Sequence, residues 1–431
     1  MPESELPEVV RIARDLIRID TSNYGGGRAN GEREAAQYVG AYLTELGLDP
    51  QYYEPIERRT NVMARVRGRD PERPALVVHG HLDVVPAVAA DWSVDPFEGA
   101  VRDGMLWGRG AVDMKNMNAM ILTAVADILR AGEQPERDLI LVFFADEENG
   151  GVEGSALVVQ ERPDWFAGAT EAISEVGGYS ITVDDHRAYL LQVGEKAMLW
   201  LRLVAKGRAG HGSRYHEQNA VTRLAEAVAA IGRTRWPIRL TPTTQALLEG
   251  LSELTGRPVD DPDALAAAAG PAAAFLSSTF RTTTNPTALT AGYKHNVIPE
   301  TAEALIDVRV IPGTEDDVLA ELQRIVGDDV EIQTVVRDIG METPFAGDLV
   351  DAMVAALGRH DPGVPVIPYL LGAGTDNKAL ASLGITGYGF APLRLPAELD
   401  FTGMFHGVDE RVPVESLVFG QRVLADLLRG C

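Results

Sequence analysis

A single cysteine, Cys431, occurs in the 431 residues of this sequence. One cysteine cannot form an internal disulfide framework, and it also removes thiolates from the ligands that could hold a metal. Any metal site must therefore be built from histidine, aspartate and glutamate side chains. The chain is longer than the ~250 to 300 residues at which a single hydrophobic core stops growing, so we expect two domains.

Long apolar runs and an excess of basic residues are also missing. No stretch approaches the ~20 apolar residues that cross a bilayer, and the N-terminal sequence lacks the basic-then-apolar pattern of a secretory signal. The sequence has 39 basic and 63 acidic residues, a net charge of -24, which opposes non-specific attraction to nucleic acid and to anionic membranes. We expect a cytoplasmic protein that binds neither nucleic acid nor a membrane.

The first part of the sequence alternates between helical and strand-like patterns. Apolar residues recur at helical spacing in residues 5–19 and 33–47, which predicts two outer helices. The apolar runs 75–78 and 139–144 predict buried strands, and the periodic segment 117–131 between them predicts a crossover helix. This alternation indicates an α/β architecture.

From about residue 196 the order of predicted elements becomes β-α-β-β-α-β, which is typical of a ferredoxin-like unit. A stretch that contains Thr, Ala and Pro, about residues 236–287, follows the first helix of this unit and is expected to form short helices of its own. The α/β pattern resumes near residue 337. We therefore predict a main domain in two parts, 1–195 and 337–431, with a smaller domain, 196–336, inserted between them.

Two segments place polar side chains next to buried elements. In LVVHGHLDVVP, His79, His81 and Asp83 share one face of a strand because side chains alternate across it. A histidine ligand commonly gives its second ring proton to a carboxylate, and Asp83 is placed to serve His81 in this way; a hydrogen-bonded histidine pair explains the segment as well. In GRGAVDMK, Asp113 precedes a predicted helix, where an N-cap is the more common role than a metal ligand.

Acidic residues follow the apolar run at 139–144. The segment ADEENGG sets Glu147 and Glu148 side by side, so that one could bind a metal while the other moves protons. A solvated turn is the more common explanation of such a cluster in isolation. Glu175 in SEVGG and His406 in HGVDERVPV stand in similar glycine-containing loops, and neither is distinctive alone.

Eight segments occur in an order that resembles the M20 family of metallopeptidases: GHLDVVP, GRGAVDMK, ADEENGG, SEVGG, GHGS, NVIPETAEALIDVRVIPG, GTDNKAL and HGVDERVPV. This family includes carboxypeptidases, dipeptidases, aminoacylases and deacylases of the acetylornithine and succinyl-diaminopimelate type. The resemblance extends over roughly residues 8–430. It implies a zinc-peptidase-like catalytic domain, α/β with a mixed sheet flanked by helices, and an inserted ferredoxin-like α+β lid domain that forms a dimer.

The resemblance also implies a ligand set for two zinc ions per subunit, with cobalt or manganese able to substitute. Asp113 would bridge the two ions. His81 and Glu175 would complete one ligand shell, and Glu148 and His406 the other, which leaves the open position expected of catalytic zinc. A cis peptide bond after Asp113 is a further expectation from the family.

Three residues take catalytic roles by the same resemblance. Glu147 would be the general base, and Asp83 would be the carboxylate behind the histidine ligand. His211 in GHGS matches a family histidine that reaches the active site of the partner subunit and stabilises the oxyanion, which implies a homodimer formed through the lid domain. A surface histidine in a glycine-rich turn is the alternative for His211.

Four residues match positions near the substrate in relatives. Asn296 and Arg309 match positions that hold the free carboxylate of the substrate, although a salt bridge on a strand face also suits Arg309. Gly374 and Thr375 in GAGTD match a loop close to the substrate. Asn116 stands where a glycine usually follows DMK, and GAGTD replaces the more frequent GGTD, so substrate specificity is less certain than catalysis.

These expectations combine into one function. We predict a di-zinc metallohydrolase that cleaves the amide bond of a small peptide or N-acyl amino acid with a free carboxylate. The alternatives are a carbamoyl-amide hydrolase that uses another metal such as manganese, and a non-catalytic binding protein on the same scaffold. The sequence leaves the acyl group and the amino acid open.

Overall fold

The computed structural model describes residues 5–431, which form helices α1 to α12 and strands β1 to β21. The helices are Glu8–Ile17, Arg33–Glu45, Lys115–Arg130, Ser155–Glu161, Ala220–Arg233, Pro242–Thr255, Pro262–Ala267, Ala273–Thr279, Glu315–Val326, Asp348–His360, Asn377–Ala381 and Val414–Gly430. The strands are Asn23–Gly25, Arg28–Ala29, Gln51–Tyr53, Asn61–Val66, Ala75–His81, Val101–Arg102, Met105–Trp107, Leu139–Phe144, Ala169–Ser174, Ser180–Val183, His186–Glu195, Ala197–Lys206, Gly210–His211, Thr283–Ala291, Val297–Ile298, Thr301–Val310, Val330–Arg337, Met341–Glu342, Val366–Leu371, Thr386–Gly389 and Arg411–Pro413. No helix in the described range is long and apolar enough to cross a membrane.

The larger sheet has ten strands and is mixed. Strands β5 and β8 pair in parallel, and α3 is the crossover between them. Both strands are buried along their whole length, as expected for strands that are covered on both faces. Antiparallel pairs such as β4 with β8 and β10 with β11 complete the sheet. The predicted mixed sheet flanked by helices is confirmed.

Apolar helices cover the two faces of this sheet. Helix α3 packs against α1, α12 and β5, and most of its residues are buried. The opposite face is closed by Trp165 and Phe166, which cluster with Val142 and Phe144 of β8. Burial of this apolar surface on both faces is the main force that holds the ends of β5 and β8 in place.

The smaller sheet has four antiparallel strands in the order β14-β16-β12-β17. Helices α5 and α9 pack on one face through apolar side chains that include Leu224, Ile231 and Leu322. Strand β16 alternates between exposed and more buried residues because its other face is open. The chain order β-α-β-β-α-β and this strand order are those of a ferredoxin-like unit, so the predicted fold class is confirmed.

The chain passes between the two sheets four times. Helices α6, α7 and α8 lie within the predicted smaller domain, yet their apolar residues join the core of the larger sheet, and α6 packs on β19. The passages therefore follow β11, α5, α8 and β17. Lys378 connects two of them, since its Nζ donates to the Lys196 carbonyl and pairs with Asp338, both at 2.7 Å. The predicted domain boundaries stay a prediction.

Candidate metal centre

The acidic residues and histidines predicted from the sequence meet at one edge of the larger sheet. His81 is the last residue of β5, Glu147 and Glu148 follow β8, and Glu175 follows β9. The carboxyl ends of parallel strands lie at the same edge of a sheet, which explains why segments far apart in sequence converge there. Asp113 lies in the loop before α3 and contributes its side chain to the same edge.

The side chains form two groups that share Asp113. In the first, His81 Nε2 lies 3.1 Å from Asp113 Oδ1 and 3.5 Å from Glu175 Oε2. In the second, His406 Nε2 lies 2.9 Å from Glu148 Oε2 and 3.4 Å from Asp113 Oδ2. Within each group the potential ligand atoms all lie within 4.8 Å of one another. A carboxylate with one oxygen toward each group is the geometry that a bridging ligand requires.

The charge of this centre fits divalent cations. Four carboxylates, those of Asp113, Glu147, Glu148 and Glu175, face only two imidazoles, and no lysine or arginine within residues 5–431 forms an ion pair with them. Burial, followed by the charge of Asp113, raises the pKa of Glu175 to about 8. Burial also raises the pKa of Glu147 well above its ordinary value. A bound cation would remove the cost of holding these carboxylates together.

The two histidines respond to the carboxylates in the opposite direction. Hydrogen bonds with Asp113 and Glu148 raise the pKa of His406 to about 11. Burial opposes protonation of His81, but Glu175 and Asp113 raise its pKa well above the ordinary value. The carboxylates thus favour the protonated form of the two imidazoles that would bind cations, as expected for a site that stabilises positive charge.

Backbone geometry at the centre is unusual. The peptide bond between Asp113 and Met114 is cis, as the family resemblance implied. Asp146, Val176 and His406 have positive φ angles of 65°, 55° and 58°, although none of them is glycine. Such conformations are costly for residues with a Cβ, most of all for a β-branched one, and they concentrate at functional sites. Each of the three is a predicted ligand or stands next to Glu147 or Glu175.

Asp83 lies behind the predicted ligands. His81 Nδ1 is 3.0 Å from the Asp83 carbonyl oxygen and 3.4 Å from its carboxylate, so the main chain is the nearer acceptor for the second ring nitrogen. The carboxylate accepts the backbone amides of Glu147 at 3.1 Å and Glu148 at 3.2 Å. His79 faces away, with Nε2 2.9 Å from the Asn377 side-chain oxygen.

Several supporting residues were not identified from the sequence. Glu410 accepts hydrogen bonds from the amides of Gly110 at 3.0 Å, Val112 at 2.7 Å and Asp113 at 2.9 Å. It lies in the same segment as His406, and that proximity was the only indication available. Asn23 and Arg59, described below, lie in stretches with no distinctive pattern.

The predicted lid residues stand apart from the metal centre within one chain. His211 is exposed, its Nδ1 lies 2.8 Å from Ser213 Oγ, and the neighbouring Gly212 amide donates to the Asn296 carbonyl at 2.9 Å. Arg309 forms a bidentate pair with Asp307 at 2.7 and 3.0 Å. No hydrogen bond or ion pair of the described residues joins them to the metal-centre carboxylates.

Gly374, Thr375 and Asn116 are the remaining residues that the sequence analysis assigned to the substrate pocket. Thr375 is buried, and both its amide and its hydroxyl donate to the Glu195 carboxylate, at 3.0 and 2.7 Å. In this state Thr375 has no free donor for a substrate. A side chain at Gly374 would come within 2.8 Å of Lys378 Nζ, so the loop packs closely there. Asn116 and Glu175 line the same small cavity.

Comparisons with known proteins place the chain among hydrolases. The profile of Peptidase family M20/M25/M40 matches residues 77–430. The chain is 29% identical over 444 residues to aminoacylase-1 of Pongo abelii, covering 99% of this chain and 96% of that protein. It shares its fold with the M20 family metallo-carboxypeptidase Sso-CP2 of Sulfolobus solfataricus, with a TM-score of 0.76, 17% identity and coverage of 98% and 99%. A dinuclear metal binding peptidase of the M20 family from Bacillus subtilis matches with a TM-score of 0.59, 14% identity and coverage of 97% and 96%.

Proposed function

The chain belongs to peptidase family M20/M25/M40, and from this membership we propose that it hydrolyses the amide bond of a small peptide or N-acyl amino acid that carries a free carboxylate. The observation that supports this most directly is Asp113, which two potential ligand groups share. Glu147 stands beside them, with Oε2 4.0 Å from His81 Nε2. A proton acceptor next to a carboxylate that can bridge two ions suits metal-assisted hydrolysis of an amide.

Two divalent cations, zinc in the first instance, would be held by these groups. His81 and Glu175 would bind one, Glu148 and His406 the other, and Asp113 both. When bound, such ions supply Lewis acidity toward water and toward the substrate carbonyl. Imidazole and carboxylate donors suit zinc and also admit manganese or cobalt, so the donor set favours a class of metal and leaves the choice within it to experiment.

Glu147 would accept the proton of the attacking water and deliver it to the leaving nitrogen. Its backbone amide is fixed by Asp83, which leaves the Glu147 carboxylate free to face the ligand groups. Asp83 therefore contributes by holding both His81 and the turn that carries Glu147. In this mechanism Glu148 would bind the metal and Glu147 would transfer the proton.

His211 would complete the site from a second copy of the chain. The edge strand β14 is largely exposed, and it packs beside α5, whose open face carries the small residues Ala225 and Ala229. An unpaired edge and a small-residue face suit isologous pairing with the same surface of another subunit. The exposed loops around His211 also carry Arg214 and Lys294, which complement the acidic centre of a partner.

Asn296 and Arg309 would hold the free carboxylate of the substrate, with Gly374 and Thr375 as weaker contacts. Asn296 stands in the loop beside His211, so the two would enter the partner's site together. Arg309 now faces Asp307, and a substrate carboxylate would have to replace that partner. The guanidinium fork that now binds Asp307 has the geometry to bind a substrate carboxylate in its place.

A substrate screen tests the proposal. The purified protein would be incubated with dipeptides, N-acyl amino acids and carbamoyl amides, each with zinc, manganese or cobalt, and release of free amine would be measured. We expect hydrolysis of one of the first two classes. Activity confined to carbamoyl amides with manganese would support the alternative hydrolase, and bound metal without any hydrolysis would support a binding protein.

Glu147→Gln provides the mechanistic control, because it keeps the size of the side chain and removes the base. We expect kcat to fall by about 10² to 10⁴ while the bound metal stays unchanged. An unchanged kcat in this variant would show that the assigned base is wrong.

A further inference from the structure

The turn that carries Glu147 and Glu148 is supported by a buried amide. Asn23 Nδ2 donates to Asp83 Oδ2 and to Asp146 Oδ1, both at 2.9 Å. Both carboxylates are fully buried, and Asn23 itself is 4% exposed. With the amide removed, two buried carboxylates would face each other without the donor that now separates them.

These two carboxylates fix the two ends of the turn. Asp83 accepts the amides of Glu147 and Glu148 at its start. Asp146 precedes Glu147 in a left-handed conformation and accepts the amide of Glu153 at 2.7 Å, after the turn. The two carboxylates therefore hold the two ends of the turn, and the Asn23 amide bridges them.

Arg59 orients the amide and offsets part of the negative charge. Its Nη2 lies 3.2 Å from the Asn23 side-chain oxygen and 2.9 Å from Asp146 Oδ1. Nη1 pairs with Glu32 at 2.6 Å, and Nε pairs with Glu153 at 3.0 Å. Because the Asn23 oxygen accepts from Arg59 and from the Gly25 amide, the NH₂ group must point at the carboxylates.

Asn23, Glu32 and Arg59 all precede residue 77, where the family match begins. We infer that Asn23, held by Arg59, is a positioning residue that places Glu147 and Glu148 for proton transfer and metal binding. The inference rests on the proposed function for the reaction that is affected. The positioning itself acts on the ligand Glu148, so it is measurable through metal binding without any substrate.

The test compares Asn23→Ala and Asn23→Asp with Thr123→Val. Thr123 is a buried residue of α3 whose hydroxyl donates to the Ala119 carbonyl at 2.7 Å, so its loss costs a buried hydrogen bond away from the acids. Affinity for zinc and for cobalt is measured by competition with a chelator, and kcat and KM are measured well below the unfolding temperature of each variant.

We expect Asn23→Ala to weaken zinc binding and to lower kcat, each by roughly 10- to 100-fold, with KM little changed. Asn23→Asp should have the larger effect because it adds a third carboxylate to the buried pair. Thr123→Val should leave both quantities at their wild-type values.

The opposite pattern overturns the inference: Asn23→Ala lowers the unfolding temperature and leaves zinc affinity and kcat at the wild-type values. If Asn23→Ala does not fold, Asn23→Ser, which keeps one donor, is measured instead and the same two outcomes decide. If the wild-type protein hydrolyses nothing while Asn23→Ala still loses zinc affinity, the proposed function fails and the positioning role stands.

Discussion

The carboxylate of Glu410 accepts the backbone amide of Asp113 at 2.9 Å. The same carboxylate binds the amides of Gly110 and Val112 and pairs with Arg109 at 2.9 Å. Because Glu410 lies four residues after His406 in the sequence, the loop of one predicted ligand is attached to the loop of another. The position of Asp113, the predicted shared ligand, therefore depends on a residue outside the predicted ligand set.

Replacement of Glu410 should disturb both stability and metal binding. Glu410→Ala removes the acceptor of three backbone amides and of Arg109 Nη1, although Arg109 Nη2 keeps the Gly407 carbonyl. We therefore expect a loss of about 3 to 5 kcal/mol, and less for Glu410→Gln, which keeps one acceptor oxygen. Urea unfolding midpoints and zinc affinity would be measured. The exposed Glu415→Gln should stay within about 0.5 kcal/mol of wild type. Wild-type zinc affinity in Glu410→Ala would contradict the expected link.

The number of bound metal ions should distinguish Asp113, the predicted ligand of both ions, from His406, the predicted ligand of one. Asp113 belongs to both groups and His406 to one, so Asp113→Asn should lose both ions, whereas His406→Ala should retain about one per subunit. Elemental analysis after dialysis against zinc gives the numbers. His360→Ala is the control, since His360 pairs with Asp426 at 2.7 Å, outside both groups. Equal loss in the Asp113 and His406 variants would argue against two separate ions.

Mixed dimers should show whether His211 acts on the partner subunit. His211→Ala and Glu147→Gln are each expected to be nearly inactive alone. In a mixed dimer, one site combines the intact Glu147 of one subunit with the intact His211 of the other, so an equimolar mixture should recover about a quarter of the wild-type activity. Activity is assayed before and after subunit exchange. If the mixture stays as inactive as its components, the exchange of His211 between subunits is wrong.

Lys196 should give the stability a specific pH dependence. Burial lowers its pKa from 10.5 to about 7, with Arg309 and Arg281 adding to the effect. Between these two values the unfolded chain binds the extra proton, so the free energy of unfolding should rise with pH by about 1.4 kcal/mol per unit. Below about pH 7 both states are protonated and this contribution is flat.

Lys196→Met removes this pH-dependent contribution. The urea midpoint of wild type should therefore rise relative to that of Lys196→Met from neutral to alkaline pH. Lys206→Met, at a lysine with a 72% exposed side chain, is the matched control and should run parallel to wild type. If the urea midpoint of Lys196→Met also follows that of wild type at every pH, the expected dependence is wrong.

The sequence predicted the fold class because its patterns are local. Apolar runs located β5 and β8, helical periodicity located α3, and the β-α-β-β-α-β order identified the ferredoxin-like unit. The same patterns could not show where α6, α7 and α8 pack. A periodic apolar face indicates that a helix is buried, but it does not indicate which of two sheets covers it.

The predicted ligands depended on order along the chain, since each segment had an ordinary explanation by itself. Their convergence at one sheet edge agrees with that prediction, while their roles stay proposals. Asn23 and Arg59 could not be found in this way. They contact residues 60 to 123 positions away through single hydrogen bonds, and a lone asparagine or arginine leaves no pattern in the sequence.

Four covalent passages join the two sheets, where a single inserted segment would supply two. A domain attached by two neighbouring connections can rotate about the line that joins them. With four connections, two of which are joined through Lys378 of α11, a rotation of one sheet against the other must bend several of them at once. The four connections therefore constrain the orientation of the smaller sheet relative to the larger one more tightly than two neighbouring connections would.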